Sequence, residues 1–439
     1  MNYTLATRFL LILNLLIACT HVSIAQFTPL SNPTSSNCFT PNLHLSTKGD
    51  IWMSWQQQKP DNQHLLWCSK FTNGNWTNPQ LIAKEKHTGI NKNKKQKKGK
   101  WFVNWADFPA ITTFGKNSLA ANFLQKSASS TYAYDIMLTV SNDGGKTWKN
   151  PKVAHNDGTA TEHGFVSLAP ASNNRFLAIW LDGRETAKTS TDTKKHGGHH
   201  HGASNKAMTL RAAFFDAQGN VSQPTLLDHR VCDCCQTSIA KTNTGFVAVY
   251  RNRSKTEIRD IGYITYQNGQ WGKPQVLHND SWKINGCPVN GPSISAMQNK
   301  VAVAWYSNAK NQAQVKVAFS KNGGTSFGNP IRVDEGNPLG RVAIAALPNG
   351  KAIVVWLEMT DTTTLIKLRE VSPNGQLGAI HAISKTSQSR ASGFPKIVVK
   401  GKQALIAWTQ VKDLPQKKQK AKGRKQISKQ IKTVIWEIK

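Results

Sequence analysis

Apolar and polar positions alternate along this chain in a pattern that recurs seven times. Each copy has a short apolar run, a polar or glycine-containing turn, and a second apolar run that closes on an aromatic residue. Short apolar runs bounded by turn residues predict pairs of antiparallel strands. The seven second runs cover residues 51–55, 119–123, 176–180, 246–250, 301–305, 352–356 and 404–408.

The spacing of these hairpins predicts how they assemble. They recur every fifty to seventy residues or so, and further strand candidates follow each of them. Four antiparallel strands repeated at this period are typical of the blades of a β-propeller. The seventh copy stops at its third strand, residues 433–439, and residues 26–30 can supply the missing outer strand. We therefore predict an all-β, seven-bladed propeller whose ring is closed by the N-terminal strand, which leaves no long exposed edge.

The N-terminus has the pattern of an export signal. Residues 9–18 form an apolar run after Arg8, too short to span a bilayer and typical of a secretory signal peptide. Two cleavage sites fit the sequence: a lipoprotein-type site at Cys19, or ordinary cleavage that removes residues 1–25. We expect one propeller domain over residues 26–439. The protein is predicted to be an exported monomer, periplasmic, extracellular or attached to a membrane through a lipid on Cys19 alone.

The charge of the chain is strongly positive and unevenly placed. Lysine and arginine number 56 against 24 aspartate and glutamate residues, a formal net charge of +32. Much of this charge lies in basic or histidine-rich inserts at residues 84–100, 186–206 and 412–430, which lack apolar periodicity and are predicted to be solvated loops. Their partner would be a polyanion such as an acidic glycan. No nucleic-acid-binding motif accompanies them, so specific nucleic-acid recognition is not expected.

One turn has a sequence that is specific for a fold family. Residues 141–148 read SNDGGKTW, and residues 320–327 read SKNGGTSF, with Asn322 at the aspartate position. The first segment resembles the Asp-box (BNR repeat) of sialidase-like β-propellers, and the resemblance implies that the box is structural and faces away from the active site. Sialidases have six blades, so a six-bladed ring is the alternative to seven. The residues that match the box are Ser141, Asp143, Gly145, Thr147 and Trp148.

The cysteines form the sharpest chemical cluster. Cys232, Cys234 and Cys235 precede the innermost strand of one blade, and Cys287 occupies the corresponding loop of the next blade. Thiolates at this spacing can bind copper(I) or zinc, and His163 or the insert at residues 194–202 can add imidazoles. Two alternatives stay open. One of the first three cysteines can form a disulfide with Cys287 that ties two blades together, or Cys234 and Cys235 can form a strained, reducible bridge.

The sialidase resemblance also defines what catalysis would require: an arginine clamp for the substrate carboxylate, a tyrosine nucleophile assisted by a glutamate, and an aspartate acid/base. In place of the family's FRIP-like string the chain reads CFTP, with Phe39 at the arginine position. No catalytic role is therefore transferred to a residue of this chain. The candidates for catalysis are Arg341, Arg390, Asp107, Glu162 and Tyr250, and those for ligand binding are Arg184, Arg251, Arg253 and Arg259.

Three functional hypotheses follow. The first is a propeller that binds an acidic glycan or a transition metal through its cysteine, histidine and arginine side chains. The second is an exo-acting glycoside hydrolase of the sialidase type with a diverged arginine clamp. The third is a structural or partner-binding propeller without a small ligand.

Overall fold

A computed structural model of the protein describes residues 27–86, 99–187, 206–413 and 427–439. The expected signal peptide and most of each of the three inserts lie outside these residues. The regular structure of the described residues is β-strand together with three single-turn 3-10 helices, Arg184–Thr186, Ala309–Asn311 and Arg390–Ser392. Among the described residues no helix has the length and apolar character needed to cross a membrane.

The strands form seven antiparallel sheets, each ordered from an innermost to an outermost strand, so the prediction of seven blades is confirmed. Strand β1 (Phe27–Pro29) precedes the first blade. Blade 1 contains β2 (Cys38–Leu45), β3 (Ile51–Gln58), β4 (His64–Thr72), β5 (Asn75–Trp76) and β6 (Gln80–Lys84). Blade 2 contains β7 (Ile111–Phe114), β8 (Ser118–Lys126), β9 (Tyr134–Ser141) and β10 (Lys152–Val153). Blade 3 contains β11 (His163–Pro170), β12 (Phe176–Asp182), β13 (Met208–Phe215) and β14 (Val221–Val231).

The remaining blades follow the same order. Blade 4 contains β15 (Ser238–Lys241), β16 (Gly245–Arg251), β17 (Ile261–Gln267), β18 (Gln270–Trp271) and β19 (Gln275–Val276). Blade 5 contains β20 (Ser293–Met297), β21 (Lys300–Ser307), β22 (Gln314–Ser320) and β23 (Ile331–Arg332). Blade 6 contains β24 (Asn337–Ala346), β25 (Ala352–Met359), β26 (Thr364–Val371) and β27 (His381–Thr386). Blade 7 contains β28 (Lys396–Lys400), β29 (Gln403–Asp413) and β30 (Ile427–Glu437).

The first and last described strands close the ring. β1 pairs antiparallel with β30, with Phe27 opposite Trp436 and Pro29 opposite Val434, so it forms the outermost strand of blade 7. The closure predicted from residues 26–30 is thus observed. A cavity of about 220 Å³ is lined by residues from the innermost strands of all seven blades, which places it on the central axis.

The aromatic residue that closes each second strand packs into the core. Trp305 and Trp356 are fully buried, and Trp180 is nearly so. Their indole N–H groups still need acceptors, because a buried donor without a partner is costly. Trp180 donates to Asp182 Oδ2 over 2.9 Å, and Trp356 donates to Glu358 Oε2 over 2.8 Å. β12 and β25 therefore each place a buried carboxylate at the end of the blade where the loops converge.

Three innermost strands begin with the same irregularity. The pairing of β2, β11 and β24 with their second strands shifts register near the first residues, and each shift contains a residue in the left-handed region. These residues are Thr40 (φ 52°), Phe165 (φ 55°) and Arg341 (φ 54°). A bulge of this kind bends the strand and redirects neighbouring side chains. The three bulges therefore determine the direction in which the backbone enters these innermost strands, next to the site described below.

Candidate functional site

The three neighbouring cysteines lie in the connection from blade 3 to blade 4. Cys232 directly follows β14, and its backbone N–H donates to the carbonyl of Arg251 over 3.0 Å, which fixes the loop against blade 4. Cys232 and Cys235 are buried, and Cys234 is half-buried. The thiols are thus held mainly inside the protein rather than on its surface.

The spacing of the sulfur atoms suits a metal ion. Cys232 Sγ lies 3.7 Å from Cys234 Sγ and 3.5 Å from Cys235 Sγ, and the three sulfurs lie within 4.8 Å of one another. A disulfide has an S–S distance of about 2.05 Å, whereas thiolates at about 2.3 Å from a zinc ion lie about 3.8 Å apart. The three thiols therefore have the mutual distances of a coordination site without large rearrangement.

A buried arginine favours the ionised form of one of these thiols. Arg259 Nη1 donates to Cys232 Sγ over 3.1 Å, and its Nη2 donates to Glu257 Oε2 over 2.7 Å. Burial opposes ionisation of Cys232, but hydrogen bonds from Cys234 and Cys235 and the charge of Arg259 outweigh it and hold the pKa of Cys232 well below its usual range. These contacts favour ionisation of Cys232, and the thiolate is the form that binds metals.

Cys287 lies close to this group. It is exposed, and its thiol interacts with Cys234. The hydrogen bonds of Cys232, Cys235 and Cys287 together raise the pKa of Cys234 well above its usual range. All six described cysteines are thiols in this structure. The contact between Cys287 and Cys234 suits either a fourth metal ligand or a disulfide formed on oxidation.

The arginines around the thiols are held by protein groups. Arg251 is 1% exposed, and its guanidinium donates to the carbonyls of Asn290, Arg259 and Tyr306 over 2.9, 2.6 and 2.7 Å. Arg253 pairs with Asp233 at 3.1 Å and with Glu257 at 2.9 Å. Arg253 thus ties Asp233, in the loop that carries the cysteines, to Glu257, and Arg251 brings a buried positive charge close to Cys235.

Two of the arginines proposed to bind a substrate carboxylate, Arg341 and Arg184, are held by protein groups. Arg341 Nη1 donates to Ser392 Oγ over 2.8 Å, and its guanidinium lies 4.8 Å from the ring centroid of Trp105. Arg390 lies 6.0 Å from the same ring. Arg184 pairs with Asp182 at 2.7 Å and with Asp157 at 3.1 Å. A substrate carboxylate would have to displace these partners to be bound by Arg341 or Arg184, whereas Arg390 is exposed.

Two carboxyl groups share one buried phenol. Tyr134 Oη donates to Glu162 Oε1 over 2.7 Å and lies 3.2 Å from Asp107 Oδ2, while Asp107 Oδ1 accepts the N–H of Phe165 over 2.7 Å. Burial raises the pKa of Asp107 to about 7 and that of Glu162 to about 8, against the opposing effect of these hydrogen bonds. Tyr134 itself is fully buried. The cluster can hold protons near neutral pH.

His163 does not join the cysteines. Its Nε2 lies 3.0 Å from Asp157 Oδ2 and 3.6 Å from Asp182 Oδ1, and its ring stacks on His155 with a centroid distance of 3.7 Å. Burial lowers the pKa of His163, but the hydrogen bond to Asp157 and the charge of Asp182 outweigh it and raise the pKa above its usual value. The sequence predicts that His163 supplements the cysteine site. In the structure His163 instead belongs to a separate cluster of histidine and aspartate side chains.

Tyr250 is not placed beside Glu162. It is fully buried at the end of β16, and its hydroxyl donates to Asp228. The tyrosine that contacts Glu162 is Tyr134, which is not among the candidates predicted from the sequence. Nothing local distinguishes Tyr134 from other strand tyrosines, because its partners come from the loops that lead into β7 and β11.

The Asp-box segment forms a closed hydrogen-bonded turn. Asp143 Oδ1 accepts from Ser141 Oγ over 2.8 Å and from the N–H of Thr147 over 3.0 Å, and Trp148 Nε1 donates to the carbonyl of Gly145 over 3.1 Å. This turn follows the last residue of β9, whereas Tyr134 is the first residue of the same strand. The turn and the Tyr134 cluster therefore lie at opposite ends of the blade.

A cavity of about 740 Å³ connects several of these groups. Glu162, Asp233 and Arg253 line it, and Ala187 and Lys206 lie at its border, where the described chain stops and resumes. It therefore adjoins both the cysteine loop and the carboxyl pair. The structure defines a seven-bladed propeller with thiol, carboxyl and guanidinium groups gathered at one end.

Comparisons with known proteins assign neither a family nor an activity to this chain. No family model and no curated protein matches the chain. Among solved structures, a protein of unknown function from Dyadobacter fermentans is 13% identical over 94% of this chain and 97% of that one, with a TM-score of 0.48. The phage phi92 endosialidase is 11% identical over 94% of this chain and 69% of its own, with a TM-score of 0.48.

An α-L-arabinanase from Penicillium chrysogenum is 14% identical over 82% of this chain and 97% of that one, with a TM-score of 0.43. Identities this low do not assign an activity. The chemistry of the site therefore has to be argued from its own residues.

Proposed function

We propose that this protein is an exported seven-bladed propeller that binds a thiophilic metal ion, copper(I), through Cys232, Cys234 and Cys235. The observation that carries the proposal is the group of three thiols within 4.8 Å of one another, one of them paired with Arg259 at 3.1 Å. Thiolate ligands suit copper(I) and zinc, and a group of three thiols favours copper(I), because structural zinc is almost always bound by four ligands. Burial excludes water from the ion and favours a complex made of sulfur alone.

The surrounding charges support a thiolate complex. A singly charged ion bound to three thiolates leaves excess negative charge inside the protein, which is costly unless it is compensated. Arg259 contacts Cys232 directly, and Arg251 acts on Cys235 through its charge. Zinc prefers four ligands, and Cys287 beside Cys234 can supply the fourth. Zinc is therefore the ion that competes with copper(I) for this site, and a direct competition experiment decides between the two ions.

The test is a copper(I) titration of the full chain under reducing conditions, in competition with a chromophoric chelator. The four histidines of the 194–202 segment are replaced by asparagine, because they can bind metals without a defined site. We expect one equivalent of copper(I), and weakening by about tenfold or more, equivalent to 1.4 kcal/mol, in Cys234→Ser. Cys68→Ala is the matched control, since Cys68 is buried in blade 1 and belongs to a separate core cluster.

Three results would contradict the proposal: unchanged copper(I) affinity in Cys234→Ser, an equal loss in Cys68→Ala, or zinc bound in preference to copper(I) in a direct competition. Thermal unfolding of both variants checks that any loss of binding is local.

A sialidase-type glycoside hydrolase is the second candidate, because Tyr134 and Glu162 form the tyrosine and glutamate pair that this chemistry uses. Full burial of Tyr134 and the engaged arginines weigh against it. The Asp-box resemblance supports membership of the sialidase-like superfamily, which by itself assigns no activity. Hydrolysis of a chromogenic sialoside that is lost in Tyr134→Phe would establish this candidate, and absence of hydrolysis by the parent protein would remove it.

Binding of an acidic glycan is a further part of the proposed function and depends on the basic inserts. The net charge of +32 attracts polyanions, and their binding releases counterions. Such binding weakens steeply as salt is added. Retention on an immobilised acidic polysaccharide should fall when residues 92–98 are replaced by a glycine and serine linker of equal length. Equal retention of the two proteins at every salt concentration would assign the binding to other parts of the surface.

A further inference from the structure

A second group of metal-ligand side chains lies between blades 2 and 3. Asp135 is on β9, His155 and Asp157 are in the loop after β10, His163 begins β11, and Asp182 ends β12. These five residues contain two sets of three potential ligands within 4.8 Å, and both sets include His163. We refer to them as the histidine–aspartate cluster.

The distances within the cluster match those between ligands of one ion. His163 Nε2 lies 3.0 Å from Asp157 Oδ2 and 3.6 Å from Asp182 Oδ1, and His155 Nδ1 lies 3.1 Å from Asp157 Oδ2. Nitrogen and oxygen ligands at about 2.0 to 2.1 Å from a tetrahedral ion are about 3.3 Å apart. Asp157, His163 and Asp182 can therefore close on a single cation with small shifts, and His155 reaches the same cation when its ring turns out of its stack on His163.

His163 has the hydrogen bonding expected of a metal ligand. Its Nδ1 lies 3.3 Å from the backbone carbonyl of Tyr134, and because a carbonyl only accepts, this nitrogen carries the proton. In the neutral ring, Nε2 then carries a lone pair, which faces the carboxylates of Asp157 and Asp182. Such a lone pair needs either a second proton or a cation. A backbone carbonyl that fixes the opposite nitrogen is the usual outer-shell partner of a ligating histidine.

His155 supplies an independent observation. Its side chain is 2% exposed, and neither ring nitrogen makes a hydrogen bond, although Nδ1 lies close to Asp157 and Nε2 lies 3.7 Å from Asp135 Oδ1. Buried polar groups without a hydrogen-bond partner are rare and require an explanation. A cation between the imidazole and the carboxylates would satisfy this side chain.

The charge of the cluster also favours a cation. Asp135, Asp157 and Asp182 contribute three negative charges, whereas two guanidinium groups, those of Arg184 and Arg211, lie within 4.0 Å of these carboxylates. These charges leave one negative charge, three minus two, inside a region that is largely buried, and either a proton on His163 or a bound cation balances it. Arg184 binds Asp182 through both oxygens, and therefore orients this carboxylate.

We infer that His155, Asp157, His163 and Asp182 form a binding site for a divalent first-row metal ion of the zinc class. Two imidazoles and two carboxylates suit zinc and related ions rather than copper(I), which prefers sulfur. The site is separate from the cysteines and does not depend on copper binding there. The protein would thus hold a soft and a borderline metal ion in two different environments.

The test uses cobalt(II) and zinc(II) with the full chain, again with the four histidines of residues 194–202 replaced by asparagine. Equilibrium dialysis gives the stoichiometry, and the ultraviolet spectrum shows whether sulfur is bound, because cobalt thiolates have charge-transfer bands that nitrogen and oxygen ligands lack. We expect one equivalent of cobalt without sulfur ligation, and its loss in His155→Ala. His278→Ala is the matched control, since His278 also faces an aspartate, Asp280, at 3.7 Å outside the cluster.

The outcomes separate clearly. Loss of the sulfur-free equivalent in His155→Ala alone supports the inference, and equal binding by His155→Ala and the parent overturns it. If His155→Ala does not fold, X-ray absorption of zinc bound to the parent decides: imidazole nitrogen around zinc supports the site, and sulfur ligation only, or no bound zinc, overturns it. Failure of copper(I) binding at the cysteines would leave this result unaffected.

Discussion

Asp107 shows at the scale of one residue how burial sets protonation in this protein. Its carboxyl group is 2% exposed and receives hydrogen bonds from a backbone amide and a phenol rather than from a cation. Burial therefore dominates and raises its pKa to about 7. The folded protein holds a proton on Asp107 over a pH range in which the unfolded chain has already released it.

We expect Asp107→Asn to change how stability depends on pH. With a pKa of about 7 when folded and about 3.9 when unfolded, the carboxyl contributes fully to stability below about pH 4 and loses this contribution as the pH rises through 7. The amide cannot ionise and can still accept from Phe165. The variant should lose less unfolding free energy between about pH 5 and about pH 8 than the parent, by at most about 3 kcal/mol.

Urea unfolding at several pH values measures this difference. Asp216→Asn is the control, because hydrogen bonds from Asn220 and Gln218 overcome the effect of burial and lower the pKa of Asp216, which then stays ionised throughout this range. Parallel curves for the parent and Asp107→Asn would show that Asp107 is ionised in the folded state.

Gly164 controls the same cluster by its lack of a side chain. A Cβ atom at this position would lie 1.9 Å from Asp107 Oδ2 and 3.0 Å from Tyr134 Cε2. Gly164→Ala should therefore destabilise the protein by about 1 to 3 kcal/mol, the usual cost of overpacking. Gly272→Ala is the control, since its nearest contact would be 3.5 Å. Denaturant unfolding compares the two, and equal midpoints would contradict the predicted clash.

At the scale of the element, the turn after β9 shows which part of the Asp-box matters. Asp143 accepts hydrogen bonds from Ser141 and Thr147, and these bonds lower its pKa to about 2. In the corresponding turn of blade 5, Asn322 Oδ1 accepts from the N–H of Ser326 over 3.1 Å. The turn thus needs an acceptor at this position more than it needs a charge.

Asp143→Asn should consequently be tolerated, whereas Asp143→Ala should lose about 1 kcal/mol for each hydrogen bond that is not replaced by water. Thermal unfolding of both variants measures the difference, and copper(I) titration should show no change in either, because the turn lies at the far end of β9. Equal destabilisation by Asn and Ala would mean that the charge, not the acceptor, stabilises the turn.

The elements were more predictable from sequence than the site because they depend on local patterns. Every second strand predicted from its apolar run lies inside an observed strand, as with residues 352–356 in β25. Cys232, Cys234 and Cys235 were recognisable because they are neighbours in the chain. Tyr134 and His155 were not, because their partners are brought to them by the docking of different blades, which no local pattern specifies.

At the scale of the whole molecule, the ring depends on a short segment that is distant in sequence from the strand it completes. β1 adds three residue pairs to β30, Leu30 donates to the carbonyl of Thr433 over 3.0 Å, and Asn32 Nδ2 donates to that of Ile431 over 2.9 Å. Without β1, the outer edge of β30 would present unpaired N–H and C=O groups, which favour association with other chains.

Replacing residues 27–30 by a glycine and serine linker of the same length should therefore lower the melting temperature by about 5 °C or more, as expected for the loss of a few kcal/mol in a chain of this size. It should also produce oligomers in light scattering, since the exposed edge is a template for pairing. Thr28→Ala removes an exposed side chain but keeps the backbone pairing with Ile435, and serves as the control. A monomeric linker variant with the melting temperature of the parent would show that blade 7 is stable with three strands, and that closure by β1 adds little to the stability of the ring.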